Sequence, residues 1–226
     1  MNRSPNLVLL EGSDDLHFAL NLLYQNEYER ADLIHPERWA VVRSGFEERI
    51  ELKPKGGFEK LVSDLHVELT PAYLQRLAVI ADADDDPNAR WESVKSAIAR
   101  AGVSGFGQLE GKGAVLDQPS QPVVGIWLMP GNGKQGYLEH LLAEMIDVGD
   151  QLWPYAVACV EGLSAVERRF PSARSKKAEV HTWLAWQESP GARISEAVLR
   201  QYVRTNCTAV QDFLSWFDRW LRTAPR

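Results

Sequence analysis

An apolar run that stops abruptly in carboxylates constrains this chain more than any other feature. Residues 76–86 read Arg-Leu-Ala-Val-Ile-Ala-Asp-Ala-Asp-Asp-Asp, with Pro87 and Asn88 following. The stretch 77–81 is short, apolar and partly β-branched, which predicts a strand buried on both faces. Such strands sit inside α/β sheets, whose ligands bind beyond the carboxyl ends of the strands. Asp82, Asp84, Asp85 and Asp86 therefore stand where chemistry is expected. Crowded carboxylates repel, and a divalent cation relieves the repulsion. In an extended chain Asp82 and Asp84 point to the same side, which makes them candidate ligands of one ion or of an adjacent pair. Asp86, just before Pro87, suits a helix cap equally well. Asp85 has no assignment.

The rest of the chain repeats the strand-to-helix pattern. Residues 6–10 form an apolar strand ending at Glu11-Gly12-Ser13-Asp14-Asp15. A helix is expected over 14–24, with Leu16, Ala19, Leu20 and Leu23 at helical spacing and Ser13 or Asp14 as its cap. Strand 39–42, a turn at 53–57, helix 58–69 and helix 88–101 come next. Residues 102–121, rich in Gly, Ser and Gln, suggest a ribbon or long loop. Strand 122–129 then leads through Pro130-Gly-Asn-Gly-Lys-Gln-Gly136 into a helix over 137–146. This alternation predicts an α/β, Rossmann-like fold with a mostly parallel sheet flanked by helices. Beyond Asp150 the text is helical, over 153–170, 177–187 and 195–220. Residues 1–150 are thus expected to form the α/β domain, and 151–226 a helical C-terminal extension packed on it. Trp216, Phe217 and Trp220 give the last helix an aromatic docking face.

Charge and cysteine content narrow the function. A net charge of −6 argues against gripping duplex nucleic acid over the whole surface. It leaves a nuclease open, because an acidic metal site lowers the formal charge and bound ions restore part of it. The basic residues available to a phosphate backbone are Lys53, Lys55, Arg168, Arg169, Arg174, Lys176 and Lys177. Five of them fall within residues 168–177, a local patch suited to weak, salt-sensitive nucleic-acid contact. A solvated helix junction accounts for that patch equally well. No apolar stretch approaches the roughly 20 residues of a membrane span, and the opening Met-Asn-Arg-Ser-Pro has no apolar signal core. A cytoplasmic protein without a membrane partner is expected. Cys159 and Cys207, in helical text without metal-ligand spacing, are expected as buried thiols.

Three strand ends now offer acids: Glu11, then Asp82 with Asp84, then Glu139 just beyond the last strand. In a parallel sheet these ends share one edge. Oxygen ligands without Cys or clustered His suit Mg²⁺ or Mn²⁺ rather than Zn²⁺, and such ions serve phosphoryl chemistry. His17 and His181 read as packing or solvent-facing side chains. Gly131-Asn-Gly-Lys134 reads as a turn, with backbone contact to a phosphate as its alternative.

The motifs resemble a family. Leu9-Leu10-Glu11-Gly12-Ser13-Asp14-Asp15 is similar to the first Toprim motif, and Ile80-Ala-Asp82-Ala-Asp84 to the second. Toprim domains occur in topoisomerases, primases, repair proteins and nucleases of the overcoming-lysogenisation-defect (OLD) kind. The resemblance is closer to small stand-alone Toprim-like proteins of largely unknown function. These share a strand ending Trp-Leu-Met-Pro, as at residues 127–130, a Gly-x-Leu-Glu helix start, as at 136–139, and a later Lys-Ala-x-x-His-Thr-Trp-Leu-Ala-Trp-Gln segment, as at 177–187. The resemblance implies that Glu11 is a general acid/base or metal ligand and that Asp82 and Asp84 hold Mg²⁺. It implies a second-metal role for Asp15, with Asp14 the alternative ligand or a cap. Glu139 is a possible added ligand or an exposed helix carboxylate. Lys177 or Lys176 stabilises phosphate charge, or is an ordinary surface lysine. Nothing in the sequence matches the catalytic tyrosine of topoisomerases, the zinc ribbon of primases or a Gly-x-x-x-x-Gly-Lys-Ser/Thr loop.

Two functions follow as expectations. One is a Mg²⁺-dependent nuclease or phosphodiester hydrolase. The other is a non-catalytic metal- or nucleic-acid-binding module that acts with a partner protein such as an ATPase, for example in phage defence. Phosphoryl transfer to a small molecule is a third, and it requires a closed pocket.

Overall fold

The computed structural model describes residues 4–31, 39–43, 46–131 and 133–223. The opening Met-Asn-Arg and Asn132 of the glycine turn lie outside these. Seven strands among the described residues form one sheet: β1 (Asn6–Leu10), β2 (Tyr28–Arg30), β3 (Trp39–Arg43), β4 (Phe46–Pro54), β5 (Arg76–Asp82), β6 (Ala114–Leu116) and β7 (Val123–Met129). Their order is β2-β3-β4-β1-β5-β7-β6. The central four, β4, β1, β5 and β7, run parallel. β3 and β2 extend one edge antiparallel, and β6 the other. The fold is α/β and Rossmann-like, as the alternation of elements predicts.

Alternation along the central strands sends side chains to both faces, and both are covered. Leu7 and Leu9 of β1, Leu77 and Val79 of β5, and Ile126 and Leu128 of β7 pack beneath α2 (Phe58–Leu69) and α3 (Pro87–Arg100). Val8, Leu10, Ile80, Trp127 and Met129 face the opposite layer, with α1 (Ser13–Tyr24), α4 (Leu138–Met145), α5 (Leu152–Glu161), α6 (Ser175–Ala185), α7 (Ile194–Leu199) and α8 (Thr208–Arg222). The helices after residue 150 therefore share one core with the sheet. Gly125 explains how α8 approaches: a Cβ there would lie 2.9 Å from Trp220 and 3.1 Å from Trp216. The Trp216 indole N–H donates to the Ala114 carbonyl at 3.0 Å.

Several boundaries differ from expectation. Lys53 and Pro54 end β4 rather than open a turn, and only residues 55–57 turn. The helix expected over 153–170 stops at Glu161, where Gly162 caps it; Glu167 then takes the Ser164 N–H at 2.9 Å, a local bond that competes with helix. The stretch 195–220 divides into α7 and α8, because Gln201 is left-handed (φ 59°) and the Arg204 N–H turns away to the Met145 carbonyl. Cys159 is exposed and Cys207 partly so, and neither is bonded to the other. The core positions of α5 are Ala156 and Val160, which leaves Cys159 facing outward. Cys207 sits at the N-cap of α8, where it packs against the edge of the core and stays partly exposed. No described helix is long and apolar enough to cross a membrane.

Candidate active site

The parallel register aligns Leu10 with Pro54 and Ile80, and Asp82 with Met129, so the carboxyl ends of four strands share an edge. At the end of β1 the Glu11 carbonyl accepts the N–H groups of Gly56 and Gly57 at 2.9 and 2.8 Å. Both glycines have positive φ, and a side chain there would strain this turn. The Glu11 carboxylate in turn accepts the main-chain N–H of Asp82 at 3.3 Å. Asp82 Oδ1 accepts the Leu138 N–H at 3.2 Å, at the N-terminus of α4, where the helix dipole favours negative charge. Asp15 accepts the Gly12 N–H at 2.8 Å; Gly12 is the N-cap of α1, and Asp14 is exposed. Glu139, in the first turn of α4, is 4% exposed. The Lys177 ammonium, from α6, lies 3.0 Å from its carboxylate and His181 Nε2 3.9 Å from it.

These acids act on one another. Burial, then the charges of Asp15, Glu11 and Glu139, push the Asp82 carboxyl up to about 8, against the stabilising Leu138 N–H. Burial also pushes Asp15 up to about 7; the Gly12 N–H opposes it, and Glu11, Asp14 and Glu139 add to it. The carboxylates of Glu11, Asp15, Asp82 and Glu139 thus share one field with more negative charge than the local cations offset.

The other aspartates part company. Asp84 is left-handed (φ 49°), held by paired main-chain bonds to Gly136 at 2.7 and 2.8 Å. The extended geometry that would align it with Asp82 ends there. Its carboxylate pairs with Arg90, whose guanidinium lies 3.8 Å above the Phe58 ring. Asp86 caps α3, accepting the Asn88 and Ala89 N–H groups at 3.0 Å each. The Asp85 carbonyl accepts the Gln135 side-chain N–H at 2.7 Å.

Above this edge opens a cleft of about 680 Å³. Glu11, Asp82, Asp84 and Glu139 line it, as do Arg90, Arg174, Lys177, Phe58 and Tyr137, while Asp15 does not. Tyr137 bridges its wall by donating to the Ala173 carbonyl at 3.0 Å.

Residues 5–222 match the family described as "Protein of unknown function (DUF3226)". The chain belongs to this family. The DUF3226 match takes in every acid of the cleft and the helices that supply its cations. No curated protein and no solved structure matches the chain.

Within this DUF3226 chain, Glu11, Asp15, Asp82 and Glu139 converge, Lys177 joins them through Glu139, and Asp84 is drawn aside by Arg90. Among the described residues, no three His, Cys, Asp or Glu side chains form a ready-made metal cage. Lys53 and Lys55 serve the scaffold: both pair with Glu68, and Lys55 with Asp64 at 2.5 Å. Lys176 pairs with Glu179 at 2.5 Å and lies 5.3 Å over the Trp153 ring. His17 packs edge-on against Trp39. Sequence reasoning missed Arg90, Phe58 and Tyr137. The signal for Arg90 was its place one turn into the helix that Asp86 caps, on the strand end that carries Asp84.

Proposed function

We propose that this protein is a Mg²⁺- or Mn²⁺-dependent phosphodiester hydrolase of Toprim-like kind, acting as a nuclease. One observation carries the reading: the Glu11 carboxylate, from one strand end, accepts the main-chain N–H of Asp82 at another, and the charges of Glu11, Asp15 and Glu139 all act on the Asp82 carboxyl. The donor set fits the ion. It offers only hard carboxylate oxygens, and Mg²⁺ binds through one or two carboxylates while keeping several waters, so a closed protein cage is not required.

Asp82 and Glu11 would hold the ion, with Glu139 and Asp15 supplying further negative charge. When bound, the ion neutralises charge on the attacked phosphate and orients the nucleophile. Glu11, partly exposed on the cleft wall, would move the proton as general acid/base. Lys177 and Arg174, which line the same cleft, would steady the phosphate oxygens. The cytoplasm is the compartment this reading takes, with nucleic acid the substrate and an ATPase a suitable partner.

The test is cleavage of single-stranded and duplex DNA and RNA with Mg²⁺ or Mn²⁺. Wild type should cut at least one substrate, and Glu11→Gln and Asp82→Asn should reduce the rate by two orders of magnitude or more, roughly the contribution of a positioned acid or base. If wild type cuts none with either metal, the catalytic reading fails and the partner-dependent binding module takes its place.

A further inference from the structure

Two cations on the cleft wall are held by carboxylates, and the two pairings differ in what it takes to break them. Lys177 pairs with Glu139, whose side chain is 5% exposed. Removing Lys177 would leave a buried carboxylate uncompensated, a costly state. Arg90 pairs with Asp84, whose side chain is 43% exposed. That carboxylate can return to water, and exposed ion pairs contribute little. Arg90 is thus the exchangeable cation of the two.

Its orientation is set in advance. The guanidinium carbon sits over the Phe58 ring, 3.8 Å from its centre, and the α3 backbone beneath it is fixed by the Asp86 cap and Pro87. A planar guanidinium presents five N–H donors in a fork that matches phosphate oxygens. Asp84 engages the Nη2 end, and Arg90 lines the same cleft as Arg174 and Lys177.

We infer that Arg90 is a phosphate-binding residue of this cleft and that Asp84 is its resting counter-ion, displaced when a phosphate of a nucleic acid enters. This rests on the proposed phosphodiester chemistry for its choice of substrate. It assigns Asp84 a different task from Asp82: one carboxylate gates the arginine, and the other belongs to the acid cluster. The exchange conserves charge pairing at Arg90 throughout, since the phosphate replaces the carboxylate on the same fork.

The experiment is a binding titration in EDTA at low salt, with a fluorescently labelled single-stranded oligonucleotide as probe and inorganic pyrophosphate as competitor. Wild type should bind and pyrophosphate should compete. Arg90→Gln should weaken binding about tenfold or more, the value of a charge-assisted hydrogen-bonded contact. Arg90→Lys, which keeps the charge and loses the fork, should fall between the two. Asp84→Asn should bind more tightly than wild type, and more tightly than Asp85→Asn, which removes the same charge from the same cleft without touching Arg90. Thermal melts confirm that each variant is folded. Absence of binding by wild type, equal binding by Arg90→Gln, or equal effects of the two Asp→Asn changes would overturn the inference. Because no cleavage is measured, a failed nuclease assay with these binding results intact would refute the proposed hydrolysis and leave the arginine's role standing.

Discussion

The main-chain N–H of Asp82 donates to the Glu11 carboxylate at 3.3 Å, although 71 positions separate the two residues. Parallel pairing of β1 with β5 brings them together: once Leu10 sits beside Ile80, the next residues of both strands emerge on one edge. The acid cluster is therefore a consequence of sheet register, and its energetics can be tested without a substrate.

Replacing Asp82 with Asn should stabilise the metal-free protein. The amide oxygen still accepts the Leu138 N–H, and Asn, unlike an aspartate that ionises freely only when unfolded, gains nothing from unfolding by losing a proton. A gain on the order of 1 kcal/mol corresponds to roughly 2–4 °C in Tm for a chain of this size. A lower Tm for Asp82→Asn in EDTA would show that the cluster is not repulsive.

Stability in EDTA should fall as pH rises. The folded-state values of Asp15 and Asp82, about 7 and about 8, lie above the ordinary 3.8. Between about pH 4 and pH 8 the unfolded chain has released protons that the folded chain retains, so stability decreases with pH. The contribution is fully present below pH 4 and is lost by pH 8. Melts at pH 5.5 and 8.5 check the sign, and Mg²⁺ should raise Tm more at the higher value.

Asp86→Ala should separate capping from ligation. It removes the acceptor for the Asn88 and Ala89 N–H groups, at about 1 kcal/mol. Chemical denaturation should show that loss, while Mn²⁺ affinity stays within twofold of wild type.

Gly125→Ala should loosen α8. The added methyl would meet two rigid indoles at 2.9 and 3.1 Å, and overpacking of this kind costs about 1–3 kcal/mol. Urea denaturation should show it, with the strand-edge site unchanged in metal affinity. Trp220→Ala, on the other side of the contact, should cost about 3–5 kcal/mol.

What the sequence made legible follows from how local its causes were. β1, β5 and β7 are apolar on both faces, so their text is continuous and their ends are sharp. The ends named Glu11, Asp82 and Glu139 correctly as neighbours because parallel strands share an edge. β4 was hidden by charge: Arg49, Glu51 and Lys53 alternate with Ile50 and Leu52, and its order comes from pairing with β1 and β3 rather than from its own hydropathy. The divergence of Asp84 from Asp82 was hidden too, since it depends on a left-handed residue and on Gly136, 52 positions away. Arg90 carried no motif at all. Its role depends on the Phe58 ring, which α2 brings from another part of the chain.

The central claim is that Glu11 and Asp82 together hold a divalent cation. Calorimetric titration of the EDTA-stripped protein with Mn²⁺ at pH 8, for wild type, Glu11→Gln and Asp82→Asn, tests it most directly. The account predicts saturable binding by wild type, with each variant weaker by tenfold or more. Equal heats for all three proteins, or none for wild type, would contradict it.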